Sequence, residues 1–561
     1  MTSLPFISRR SPVYGRRGTV ATSQPLATAA GLEILTKGGN AADAAVAAAA
    51  ALNVTEPGST GIGGDMFALF YSAESGRVTA LNGSGRAPAA LTLDRLKKEG
   101  FSRELPPFHA HTVTVPGACA GWFDLIEKHG SLSMAEILAP AVRLAREGFP
   151  VAPLSSHSWQ RGAENQLKSG LNGHELTIAG RGPRPGEMFR SPNLARTFEI
   201  VASGGKSAFY EGEIAEAIVR VIKEAGGCMS VEDLASHVST WEEPISVTYR
   251  GLRVYECPPN GQGITALIAL NLLEGFDLSA LPALSKERLH LMIESMRLAF
   301  ADSRWYVADP KFSNVPIQEL LSKDYAGERR KLIDMNHATI DPEQGTPINS
   351  SNTVYLSVVD QFGNACSFIN SNYWGFGTGI VPKGFGFTLQ NRGHNFRLDP
   401  DHPNRLEPRK RPYHTIIPAM VTRPLSRSGR SDESQPRSAV EVQGEGEDLF
   451  ASYGVMGGFM QPQGHVQVLS ALVDDGLDPQ SALDQPRFCI DVEENGGGVA
   501  LEEGIPASVI SDLERMGHPV YLVSGYDRSL FGRGQVILRD PETGVLCAGS
   551  DPRGDGCAMT L

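Results

Sequence analysis

Apolar positions recur with helical spacing over residues 41–52, 133–147, 212–225, 263–273 and 286–307, with Gly or Pro breaking the pattern between runs. The first run is mostly Ala, which predicts a small-residue helix set close against its neighbours, and it is too short to span a bilayer. Elsewhere short β-rich runs lie between turn signals. Residues 66–71 and 78–81 read as paired strands, and 353–359 with 365–370 as a hairpin turning at Asp360-Gln361-Phe362-Gly363-Asn364. Residues 534–539 and 545–549 make a last strand–turn–strand unit. Gly61-Ile62-Gly63-Gly64 precedes a strand rather than a helix and lacks both GxGxxG spacing and a following Lys-Ser/Thr, so it predicts a tight turn and not a phosphate loop.

Two stretches lack any period. Residues 334–351 are polar and hold two prolines, which predicts an exposed, flexible linker running into Asn352. Residues 424–447 are poor in hydrophobic side chains and read as a disordered surface loop. The chain thus divides into a helix-rich part, 1–352, and a strand-rich part, 353–561. Neither has a self-sufficient core pattern, so a shared central sheet is expected.

Composition narrows the classes. Of 561 residues, 41% are hydrophobic and 20% charged, as in soluble globular proteins. A net charge of −12 without a basic stripe disfavours nucleic acid, and the pairs Arg16-Arg17 and Lys410-Arg411 read as solvated or locally paired. The N-terminal segment lacks the apolar run, roughly 7–15 residues, of a secretory signal. Seven scattered cysteines without a CxxC pair suit neither a disulfide framework nor a zinc site. A reduced, cytoplasmic setting away from membranes is expected. No GxSxG elbow or HExxH motif is present, and His109-Ala110-His111 reads as ordinary loop, so neither metal nor cofactor is expected.

Thr353 begins the predicted hairpin directly after the linker. A Thr hydroxyl is a poor nucleophile without a base in reach. An N-terminal Thr carries its own, since a free α-amino group titrates at about 7.7–8.0. One cut between Asn352 and Thr353 would create both groups. On this pattern alone, a Thr at a loop-to-strand junction is most often structural.

The block TVYLSVVDQFGNACSF, followed by GFGTGIV, resembles the start of the small subunit of the γ-glutamyltransferase (glutathione hydrolase) family. GGNAADAAVAAA, EPGSTGIGGDMF, VPGACAGW, WEEPISVTYRGLRVYECPPNGQG, ESMRLAFADSRWYVADPKF, KRPYHTIIPAM, GVMGGFMQPQGH and SDPRGDG fit the same family in order. The resemblance implies an α+β fold, the four-layer αββα sandwich of N-terminal nucleophile hydrolases, formed jointly by large and small subunits cut from one precursor. It implies a heterodimer of those subunits acting on a small amide substrate. It places the nucleophile on Thr353, its supporting hydroxyl on Ser371 (Thr in the family), and the oxyanion-holding glycines on Gly457 and Gly458.

The substrate-binding positions depart from the family. Ser84 stands where an Arg clamps the α-carboxylate, with Arg86 two residues on. Tyr373 replaces an Asn, though Asn372 is adjacent; Arg392 and Asn395 replace a Gln and an ammonium-binding Asp; His414 and Thr415 replace two serines. An ion pair to ammonium is lost and a cation gained. Such a site suits γ-glutamyl amides or related anionic acyl amides, with a glutaryl-type acylase or oxamate-type amidohydrolase as the alternative. The wording of GFGFTLQNRGHNF and MQPQGH is closest to that divergent branch. A reading of another class is an unprocessed, non-catalytic binding protein.

Overall fold

The predicted strands take their places in two seven-stranded sheets in a computed structural model that describes residues 10–339, 353–424, 446–490 and 497–561. One sheet runs in the order Val13–Gly15, Leu546–Ser550, Arg533–Arg539, Glu447–Met456, Ala419–Pro424, Leu252–Glu256, Ile245–Tyr249. The other runs Cys557–Thr560, Gly18–Thr22, Val354–Asp360, Ala365–Ser371, Asp65–Ser72, Arg77–Gly83, Thr240–Glu242. Both parts of the chain enter both sheets. The single shared sheet expected from sequence is therefore two.

Strand alternation sorts the side chains into layers. Tyr355, Val359, Ile369, Phe67 and Leu69 of one sheet meet Met420, Met456 and Ile537 of the other in an apolar layer between them. The intervening residues Leu356, Val358, Phe368, Ala68 and Phe70 face outward toward the helix Ala41–Thr55, against which the helix Met134–Glu147 packs in turn. On the opposite outer face Val421, Ala451, Tyr453 and Val455 meet the helices Gly263–Leu273 and Met460–Val473, and Lys286–Tyr306 packs on the first of these. The result is the αββα sandwich that the resemblance implies.

Every residue of the Ala41–Thr55 helix is buried. Ala side chains let its axis come close to the sheet and to the Pro25–Thr36 helix, where a Cβ on Gly31 would lie 3.4 Å from the Ala44 carbonyl oxygen. Its start is fastened twice. Asn40 and Asp43 form a reciprocal capping box, and Asp360, at the end of the Val354–Asp360 strand, accepts from Ala41 N at 2.9 Å. The same carboxylate accepts from Phe362 N at 2.9 Å and Asn364 N at 3.0 Å, so it closes the hairpin turn and orients the helix at once.

The helices expected from periodicity appear within a few residues of their predicted ends. The Met460–Val473 helix, not expected, buries Gln461, Gln463, Gly464 and His465 alongside apolar residues, which hides a one-faced pattern. Gly61–Gly64 forms the predicted turn, with Gly64 N bonded to Gly61 O at 3.0 Å. Lys410 and Arg411 are buried rather than solvated; Lys410 is paired locally with Glu407, whereas Arg411 donates to the distant Thr240. Strand structure extends to Pro424 and resumes at Glu447, so the ends of the expected loop are ordered; 425–445 and the linker from 340 to Asn352 lie outside the described residues. Among the described residues no helix is long and apolar enough to cross a membrane.

Asp360→Ala removes a charged acceptor from several backbone N–H groups and should lower the unfolding free energy by about 2–3 kcal/mol. An unchanged midpoint of chemical unfolding would show that the hairpin turn and the helix start are fastened elsewhere.

Candidate active site

Register brings the first polar residues together. Val354 pairs with Asn370 in the hairpin, and Ser371 pairs with Asp65 of the neighbouring strand. Thr353, Ser371 and Asp65 share the parity of Tyr355, Ile369 and Phe67, so they project toward the second sheet. All three are fully buried. Thr353 Oγ1 lies 3.0 Å from Ser371 Oγ. Ser371 Oγ accepts from Tyr373 N at 2.9 Å and from Arg392 Nη2 at 3.2 Å, so its orientation is set by protein groups rather than by solvent.

Arg392 extends the network. Its Nη1 donates to Thr415 Oγ1 at 2.7 Å, and its guanidinium lies 4.3 Å from the centre of the Tyr373 ring. It is fully buried, its Nε has no hydrogen-bond partner, and among the described residues no carboxylate forms an ion pair with it. Burial lowers its pKa to about 10, against the raising effect of Asp65, so it remains a cation at neutral pH. Tyr373 holds a positive φ of 78°, strained for a side chain of its size. Its N–H on Ser371 and its hydroxyl on Asn395 Oδ1 at 2.6 Å keep it there. Asn395 Nδ2 in turn donates to the Tyr413 carbonyl at 3.0 Å, so both ends of the amide are engaged.

Gly457 and Gly458 follow the Glu447–Met456 strand of the second sheet, with φ of 136° and 61°. The Gly458 carbonyl accepts from Gln262 Nε2 at 2.8 Å, and the same nitrogen donates to the Thr415 carbonyl at 2.6 Å. A continuous path therefore runs from Thr353 through Ser371, Arg392 and Thr415 to Gln262 and the glycine turn. His414 is buried beside it. Its Nε2 lies 3.0 Å from Asp65 Oδ2, and burial holds it neutral, well below the usual histidine range. Asp65 Oδ1 accepts from Gly85 N, Gly117 N and Gln390 Nε2 at 3.0, 3.1 and 2.9 Å.

Two expected residues stand apart from this path. Asn372 turns to the opposite face, where Nδ2 donates to Thr388 Oγ1 at 3.1 Å and the amide fills space beside Gly61 and Gly64. Arg86 is half-buried and donates to the Val238 carbonyl at 3.1 Å, with Asp309 and Glu242 as its charged surroundings. The cation that reaches Ser371 is Arg392.

The family model described as Gamma-glutamyltranspeptidase matches residues 27–431 and 436–561. The chain belongs to that family. It is 36% identical over 553 residues to the glutathione hydrolase-like YwrD proenzyme of Bacillus subtilis, covering 98% of this chain and 99% of the relative. It is 32% identical to the acylase ACY 1 proenzyme of a Pseudomonas species, covering 99% and 96%. Its structure matches a cephalosporin acylase from Bacillus halodurans with a TM-score of 0.89 and 44% identity, over 100% of this chain and 99% of that one. It is thus an amide hydrolase of the family, with acylases among its relatives.

Asp65, Gln390 and Gln262 were not anticipated from sequence. Asp65 and Gln262 sit inside quoted blocks, GIGGDMF and PPNGQG, and a lone acid ending a glycine turn at the start of a buried strand was the available signal.

Burial raises the Asp65 carboxyl from an ordinary 3.8 to about 6, against the lowering effects of Arg392, Gly85, Gly117 and Gln390. Between about pH 4 and 6 the folded chain then holds a proton that the unfolded chain has lost. Stability contributed at this site is present below that window and falls as pH rises through it, by about 3 kcal/mol in all. Asp65→Asn should abolish this component. The difference in unfolding free energy between wild type and variant should therefore shift by about that amount from pH 4 to pH 7; an identical difference at both would contradict the assignment.

Proposed function

We propose that the chain is a self-processing amide hydrolase in which Thr353, released from Asn352, is the nucleophile and its own α-amino group the base, acting on acyl groups that end in a carboxylate. The observation that carries this reading is Arg392, a buried guanidinium without a carboxylate partner among the described residues, hydrogen-bonded to the same Ser371 that holds the Thr353 hydroxyl. A buried cation of this kind is costly unless an anion joins it. Guanidinium geometry suits a carboxylate.

In this mechanism Thr353 Oγ1 bonds to the amide carbon while its proton passes to the α-amino group. The carbonyl oxygen becomes anionic and accepts hydrogen bonds from backbone N–H groups at Gly457 and Gly458, each worth about 3–4 kcal/mol in comparable sites. The C–N bond breaks as the ammonium returns the proton to the leaving amine, and an ester remains on Thr353. Water, deprotonated by the same amine, then splits the ester and releases the acid. On the 352–353 peptide bond that amine does not yet exist: Thr353 Oγ1 bonds to the Asn352 carbonyl carbon, the bond to Thr353 N breaks as that nitrogen takes up a proton, and water then splits the resulting ester, which frees the α-amine and yields a heterodimer of large and small subunits.

Asn395 is neutral and engaged at both ends, so it offers no charge to a substrate ammonium. A glutaryl-type acyl group, with a carboxylate but no ammonium, therefore fits better than γ-glutamyl. Likeness to a cephalosporin acylase and to ACY 1 supports that preference. The glutathione hydrolase-like relative favours the γ-glutamyl reading instead.

Denaturing electrophoresis of purified protein should give two bands, at roughly 38 and 22 kDa by share of the chain, and Thr353→Ala a single one. A persistent single wild-type band would leave a binding protein as the reading. Against glutaryl amides, γ-glutamyl anilide with and without a dipeptide acceptor, and oxamate, we expect glutaryl hydrolysis to lead and transfer to be minor. Arg392→Ala should cut kcat/KM on the anionic acyl substrate by about thirtyfold or more, the 2–5 kcal/mol range for losing a buried charge partner. Unchanged turnover would remove Arg392 from the acyl pocket.

A further inference from the structure

In the helical layer outside the Thr353 network, three side chains of metal-ligating type converge. His290 and Glu294 stand one turn apart on the Lys286–Tyr306 helix, and His518 comes from the loop after the Ala507–Arg515 helix. All three are buried, and one ligand atom from each lies within 4.8 Å of the others. We infer that this cluster is a binding site for a divalent transition-metal ion of the zinc class, distinct from the hydrolytic site.

The orientation of His290 is the strongest part of the case. Its Nε2 lies 2.8 Å from the Asp334 carbonyl oxygen, which only accepts, so the proton sits on Nε2 and the Nδ1 lone pair points into the cluster. Ligating histidines are commonly held this way, one ring nitrogen donating to a backbone carbonyl and the other meeting the ion. His518 Nε2 lies 2.8 Å from that Nδ1. His518 Nδ1 is buried without a hydrogen-bond partner, 4.0 Å from Glu294 Oε1.

Without an ion, the His518 Nε2 proton bridges the two rings. When an ion enters, that proton leaves Nε2 and Nδ1 takes one up on the side facing Glu294, so His518 stays neutral as the other tautomer. His290 Nδ1, His518 Nε2 and a Glu294 oxygen become the ligands, with water completing a tetrahedron. The two nitrogens must separate to about 3.4 Å, as bond lengths of about 2.0–2.1 Å to zinc require. Arg297 Nη1, 3.3 Å from Glu294 Oε1, also donates to the Thr339 carbonyl at 3.0 Å, and its Nη2 to the Gly497 carbonyl at 3.2 Å, so it has other acceptors when the carboxylate turns to the ion. Two imidazoles and one carboxylate suit zinc better than calcium or magnesium, which prefer oxygen. Glu294 Oε2 also accepts from Thr339 N at 2.9 Å, so the ion would secure residues 334–339, the segment leading toward residue 352, against the Lys286–Tyr306 helix.

The test is calorimetric titration of chelator-treated full-length protein with Zn2+, in wild type, Glu294→Gln and His518→Gln. We expect one ion per chain, affinity at least tenfold weaker in each variant, and a wild-type unfolding temperature higher by roughly 2 °C at a hundredfold excess over Kd. Should the variants not fold, wild-type crystals soaked in Zn2+ and measured at the zinc edge decide the matter by an anomalous peak among the three side chains. Absence of both stoichiometric binding and that peak overturns the proposal, as does equal affinity in three folded proteins.

Discussion

Side chains alternate across a strand, so the register of the Val354–Asp360 and Ala365–Ser371 hairpin decides which of its residues face the second sheet. Both faces of this sheet are covered, by helices on one side and by the other sheet on the other. Apolarity alone therefore specifies register weakly here. Polar contacts supply what is missing: Ser357 Oγ meets Ser452 Oγ across the sheets at 2.6 Å, and Asp360 fastens the turn to a helix start. A slip by one residue would carry the Thr353 hydroxyl to the helical side, away from Ser371, Arg392 and the glycine turn. The site depends on that one alignment.

Around this alignment the protein buries charge at a cost. Arg392 and Asp65 are both fully buried, and each shifts toward its neutral form, Asp65 to about 6 and Arg392 to about 10. Asp65 has its demand met by two backbone amides, an amide side chain and His414. Arg392 is supported by two hydroxyls and a ring face, contacts that orient a guanidinium without neutralising it. The asymmetry leaves positive potential beside the Thr353 hydroxyl. The proposed preference for an acyl group that carries its own anion rests on this asymmetry.

Much of the architecture was legible locally. β-Rich runs and turn residues marked the hairpin at Thr353, glycine spacing the Gly61–Gly64 turn, and helical spacing five helices, because these depend on neighbours a few residues apart. Helices such as Met460–Val473 escaped, since burial on all sides with Gln and His inside erases the one-faced pattern. In the site, Thr353, Ser371, Arg392 and Thr415 fall on one hydrogen-bonded path, whereas Asn372 and Arg86 turn elsewhere. A loop's sequence position says little about its side chain's direction. The His290–Glu294 spacing of one helical turn was present in the sequence, but the third member, His518, lies 228 residues past His290 and no local motif joins them.

The order of residues along the chain by itself determined many of the strands and turns, the family, and which threonine is proposed as the nucleophile. Tertiary structure decided which cation stands beside it, which donors hold the nearby Asp65, and which histidines meet in the helical layer. The reason is range. Backbone periodicity and turn chemistry act over a few residues, whereas burial, pKa shifts and ligand geometry arise only where segments hundreds of residues apart share the same low-dielectric space.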